Sequence, residues 1–105
     1  MALVSASERR KGLVGELEVR RLFEGHGFTV RGLEGAGDHL AIGHGLVVHV
    51  ESKRQEVARP WLWQAQAILE APPGSLPLVA FRRSRSPWWG MAPLDELAAA
   101  LARSA

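Results

Sequence analysis

Five consecutive residues, Leu46 to Val50 (LVVHV), constrain this chain more than any other stretch. Three are valine, and β-branched side chains favour a pleated backbone. The run is too short for a buried helix and follows Gly43-His44-Gly45, a three-residue turn signal, so it reads as an interior strand. Such a strand normally stays apolar or stops at a turn. This one continues into Glu51-Ser52-Lys53, and an isolated Asp38 stands thirteen residues before the glutamate.

The remaining pattern supplies a frame for that strand. Ser7 is a candidate N-cap for a helix running to Glu24, closed by Gly25-His26-Gly27. Phe28–Arg31 reads as a short strand and Gly32–Gly37 as a glycine-rich loop. Asp38–Ile42 and Leu46–Lys53 form a hairpin. Pro60 suits the first turn of a helix over Trp61–Glu70, which Pro72-Pro73-Gly74 ends. Leu78–Arg83 and Trp88–Met91 are further strands, joined by a basic turn over Ser84–Pro87, and Leu94–Arg103 is a closing alanine-rich helix. The order α-β-β-β-α-β-β-α predicts an α/β fold, a mixed β-sheet flanked by helices, as one domain over residues 1–105.

Composition narrows the chemistry. With no cysteine among 105 residues, a disulfide framework and a thiolate metal site are both excluded, and a reducing, cytoplasmic setting is expected. No apolar run reaches the ~20 residues of a membrane helix, and Met1–Gly12 lacks the apolar segment of a secretory signal. Eleven of the thirteen basic residues are arginine, and the sequence pI is 9.9. Arginine grips phosphate through paired hydrogen bonds, so the balance leans towards nucleic acid.

Residues two apart on a strand share a face, which puts Glu51 with Lys53 and leaves Val48, Val50 and Ser52 on the other side. The hairpin then brings Asp38 near Glu51. Two carboxylates this close need a proton or a cation between them. A small set of oxygen ligands with positions left for water and phosphate suits Mg²⁺. Lys53 is placed to hold a water attacking phosphorus, which completes the parts for metal-assisted phosphodiester hydrolysis. By spacing alone the same residues also fit a surface Glu–Lys pair with Asp38 capping a turn. The interior character of LVVHV and the preceding Gly35-Ala36-Gly37 argue for the site. Glu16, on the helical stripe of Gly12, Val19 and Phe23, is a third carboxylate, with an ion pair to Arg20 as its alternative.

The series KGLVGELEVRRLFEGHGFTVR, then GD, then VESK, resembles the archaeal-type Holliday junction resolvases of the PD-(D/E)xK nuclease superfamily. The resemblance runs from about Lys11 to the final helix, and departs from the family in having His39 after the aspartate. It implies a restriction-endonuclease-like fold and a homodimeric endonuclease that cuts four-way DNA junctions by paired, symmetric nicks. Asp38 and Glu51 match the metal-binding carboxylates, Glu16 the glutamate of the first helix, and Lys53 the catalytic lysine. Mg²⁺ is the implied cofactor, with Mn²⁺ able to substitute. Arg31 matches a basic residue near the DNA backbone, and Gln55, Gln64 and Gln66 match polar site positions more loosely.

Other polar residues are assigned around that centre. Arg9, Arg10, Lys11, Arg54, Gln55, Arg82, Arg83 and Arg85 are expected to contact DNA phosphates without reading bases. Most of the four histidines read as turn and surface residues, with His39 and His49 approaching the site as strand neighbours. Trp61 with Ala65 and Ile68 reads as a core stripe. Leu13 and Leu17, on a second apolar face of the first helix, and an outward tryptophan of Trp88-Trp89 are the expected dimer interface. Two rival readings share the fold: a nuclease for another DNA target, and a DNA-binding module without catalysis.

Overall fold

The computed structural model describes residues 5–32 and 38–104. Its elements run α1 (Ala6–Gly25), β1 (Thr29–Gly32), β2 (His39–Gly43), β3 (Leu46–Arg54), α2 (Pro60–Glu70), β4 (Leu76–Arg82), β5 (Trp89–Met91) and α3 (Leu94–Arg103). The predicted α/β order is the observed one. The five strands form one mixed sheet in the order β1-β2-β3-β4-β5. Only the β3–β4 pair is parallel, joined through α2, and the other neighbours are antiparallel.

β3 is central because nothing about it tolerates an edge. Val48, His49, Val50 and Glu51 are all buried, so both faces of the strand are covered. Val48 and Val50 join Val19 of α1, Val30, Ala41 and Ala80 in one core. His49 and Glu51 point to the opposite face, where Trp63 and Ala67 of α2 pack with Val79. The sheet is thus a wall between α1 and α2, with a polar residue pair set in the α2 face.

Local chemistry fixes the element ends. The α1 cap is Ser5 rather than Ser7: its hydroxyl accepts from the Glu8 backbone N–H at 3.1 Å while Glu8 reaches back to the Ser5 N–H. Only Ser5 has a glutamate three residues on, which completes a capping box. The hairpin loop has two residues rather than three, since Gly43 pairs with Leu46. His44 (φ 51°) and Gly45 (φ 75°) are both left-handed, the requirement of the tightest hairpin turn. His44 Nε2 donates to the His26 carbonyl at 2.7 Å, tying that turn to the end of α1. At Gly15, a Cβ would meet the Arg54 Cβ at 3.0 Å and the Trp88 ring at 3.3 Å, so this glycine lets α1 lie close against the sheet.

The α2 core stripe differs from expectation. Trp61 is 84% exposed and Ile68 53%, whereas Trp63 is 3% and Ala67 0%. Both stripes satisfy helical spacing. The one that faces the sheet is set by how the chain enters α2 from β3, and Trp63 meets Phe81 with ring centroids 5.9 Å apart.

Candidate metal and nuclease site

β2 and β3 bring the acidic residues together. The ladder pairs His39 with Val50, so Asp38, one residue earlier, comes opposite Glu51. Both carboxylates are withdrawn from water, Asp38 to 4% exposure and Glu51 to 3%. Each has one oxygen held by a nitrogen: His49 Nε2 lies 3.0 Å from Asp38 Oδ2, and Lys53 Nζ lies 3.3 Å from Glu51 Oε1. No amide, hydroxyl or basic side chain among the described residues reaches the other oxygens, Asp38 Oδ1 and Glu51 Oε2, and the neighbouring acid able to share a proton with either residue is Glu70. Two buried, partly unsatisfied carboxylates are costly unless a proton or cation joins them.

The electrostatics carry the same message. Burial pushes the Asp38 carboxyl up to about 7, helped by the nearby Glu70 carboxylate and opposed by Lys53. Glu51 is raised by burial and by the charge of Asp38, with Lys53 pulling the other way. Glu70 is lowered, chiefly by a hydrogen bond from Asp38, so the shared proton resides on the aspartate. Burial holds the His49 imidazole below its usual range, hence neutral at pH 7.

Glu70 was not foreseen from sequence. It ends α2, and Asp38, His49 and Glu70 each present a donor atom within 4.8 Å of the others. A signal existed: Gln66 and Glu70 lie one turn and two turns beyond Trp63, bordering the stripe that faces the sheet. Gln66 accepts from Lys53 Nζ at 3.4 Å and donates to Glu70 at 3.2 Å, linking the lysine to the cluster.

Glu16 arrives from α1, on the opposite face of the sheet. Its charge reaches Asp38 and burial raises its own carboxyl. The alternative pairing with Arg20 does not form; Arg20 turns to Glu24 at 3.6 Å. Glu16, Glu51 and Lys53 line one open cleft of about 670 Å³ with Lys11, Arg54 and Gln55. Arg59, not singled out from sequence, lines it too.

The remaining basic residues divide. Arg10, Arg31, Arg83 and Arg85 are exposed. Arg82 is occupied: it donates to Glu18 at 2.8 Å, the same oxygen that Trp88 Nε1 reaches at 2.8 Å, and lies over the Trp88 ring. Arg54 pairs with Glu56 at 2.9 Å and donates to Ser84, which braces the β4–β5 turn carrying Arg83 and Arg85. Trp88 is therefore the inward tryptophan, packed on the α1 core, and Trp89 the outward one at 59% exposure. Leu13 and Leu17 are exposed as expected, but α2 carries a larger uncovered apolar set in Trp61, Leu62, Ile68 and Leu69.

The donors present suit a divalent cation: two buried carboxylates with open oxygens, a third and fourth carboxylate within electrostatic reach, and a neutral imidazole. No helix among the described residues is long and apolar enough to cross a membrane. No protein-family model matches the chain, and comparison with characterised proteins gives no significant match.

Proposed function

We propose that the chain is a metal-dependent DNA endonuclease that resolves four-way junctions as a homodimer. The observation that carries this is the buried pairing of Asp38 with Glu51, each with one oxygen that no basic or amide donor among the described residues reaches, where Glu51 and the Lys53 ammonium line an open cleft. The order Glu16, Asp38, Glu51, Lys53 supports it, since it resembles the site series of archaeal-type Holliday junction resolvases.

Asp38 and Glu51 would hold the cation, and Glu16 lines the same cleft as Glu51. A bound Mg²⁺ or Mn²⁺ supplies Lewis acidity towards a phosphoryl oxygen. Lys53, held between Glu51 and Gln66, keeps an ammonium where a water must be oriented and negative charge develops. Lys11 and Arg59 offer cations at the cleft for the flanking phosphates, and the exposed Arg83 and Arg85 extend the basic surface. These contacts touch backbone rather than bases, as a structure-selective enzyme in recombination or repair requires. The apolar outer face of α2, with Trp89, supports a two-fold dimer that carries two sites for paired nicks.

The test is Glu51→Ala. Loss of cleavage with junction binding retained is expected, and cleavage at the wild-type rate would remove Glu51 from the chemistry and end this reading.

A further inference from the structure

Three side chains converge on the α2 face of the sheet without a role in the reading above being complete for any of them. His49 is fully buried, an imidazole sunk between two strands where an apolar residue would pack more easily. Asp38 contributes one of its oxygens to it at 3.0 Å. Glu70 brings a carboxylate to the same point from the end of α2, and the three donors lie within 4.8 Å of one another.

These separations fit a common small ion. Donors at about 2.1 Å from one octahedral cation are about 3.0 Å apart as neighbours and about 4.2 Å apart across it. The Asp38–His49 distance equals the first, and closing Glu70 onto the ion needs movement of only one exposed side chain. An Asp–His hydrogen bond alone leaves more unexplained. His49 Nδ1 has no partner among the described residues, and Asp38 Oδ1 has none beyond the neighbouring Glu70 carboxylate, although both are buried. In the metal-free protein Nε2 is paired with Asp38, and with no partner at Nδ1 among the described residues the proton can move there when a cation takes the Nε2 lone pair.

We propose that His49 and Glu70 join Asp38 as ligands of the cation, so that the site contains an imidazole nitrogen and takes Mn²⁺ ahead of Mg²⁺. Imidazole is a good ligand for transition metals and a poor one for Mg²⁺, which prefers oxygen and keeps its waters. The inference rests on the metal-dependent reading and sharpens it. The ion is held from both sides of the β3–α2 connection, and docking of α2 becomes part of building the site.

The test is direct and independent of cleavage. Mn²⁺ is added to the metal-free full chain and pulsed electron paramagnetic resonance reads nitrogen coupling to the ion. A ¹⁴N coupling is expected, converting to ¹⁵N in wild-type protein grown with ¹⁵N-histidine and persisting in His39→Gln. Glu70→Gln, an exposed change that leaves the core intact, should weaken Mn²⁺ binding on the order of tenfold, and wild-type protein should prefer Mn²⁺ to Mg²⁺ by at least about tenfold. Mn²⁺ bound without nitrogen coupling, or unchanged affinity in Glu70→Gln, would overturn this inference and leave the nuclease reading intact. No Mn²⁺ binding at all would overturn both.

Discussion

Lys53 holds one oxygen of Glu51 at 3.3 Å, and the other is buried with no basic or amide donor among the described residues. His49 does the same to Asp38 on the neighbouring strand. The two carboxylates are thus oriented in advance, at a cost that a bound cation would relieve. Asp38→Asn removes the charge while keeping the shape. It should raise the melting temperature of the metal-free protein at pH 8 and abolish cleavage, which thermal denaturation and a nicking assay measure side by side.

The pH dependence follows from the sign of the shifts. Asp38 has a folded value of about 7 against an ordinary 3.8, so its contribution favours the folded state at low pH and is lost as pH rises through about 7. His49 is shifted down from 6.5, and its contribution is retained above that value. Between pH 6.5 and 8 the metal-free protein should therefore lose stability. Mn²⁺ should restore it at pH 8 by binding only the folded form. Asp38→Asn should flatten the pH dependence and remove the Mn²⁺ effect, as melting curves would record.

Gly15 marks the closest approach of α1 to the sheet. Gly15→Val drives new atoms into the Arg54 stem and the Trp88 ring, already 3.0 and 3.3 Å from a bare Cβ. Overpacking of this kind costs about 1–3 kcal/mol. Chemical denaturation should show that loss, while Gly12→Ala, where a Cβ meets nothing within 4 Å, should leave stability near wild type.

Neighbouring arginines should separate into two behaviours. Arg82→Ala breaks the pairing with Glu18 under Trp88 and should lower stability by about 1 kcal/mol. Arg83→Ala and Arg85→Ala should leave stability unchanged and each reduce the slope of log affinity against log salt by about one. Denaturation and salt-dependent junction binding distinguish the two groups.

The outer face of α2 makes a separate prediction. Trp61 and Leu69 are 84% and 86% exposed, too much apolar surface on one helix to leave uncovered without consequence. If the proposed dimer forms through this face, Trp61→Glu with Leu69→Glu should give a monomer in sedimentation velocity where the wild type is a dimer. A change at Leu13 and Leu17 should have the smaller effect.

The strand that dominates the sequence also dominates the fold: LVVHVESK lies at the centre of the sheet with its alternation intact. Its pairing with Asp38 was legible because a hairpin fixes register over short range. The face of α2 was not, because Trp61-Ala65-Ile68 and Trp63-Ala67 obey the same period and only docking against Val79 and Phe81 selects between them. That one choice hid Glu70. Once Trp63 faces the sheet, Gln66 and Glu70 become polar residues beside a core stripe, the pattern that marks a site. Trp88 and Trp89 were correctly split into one inward and one outward, although sequence alone did not say which.

The most direct measurement is cleavage of a synthetic four-way junction beside linear duplex of the same arms, with Mn²⁺, with Mg²⁺ and with EDTA. Paired nicks confined to the junction, present with either metal and absent with EDTA, are predicted. Junction binding without cutting in any divalent metal would contradict the account and leave the Asp38–Glu51 pair without a catalytic role.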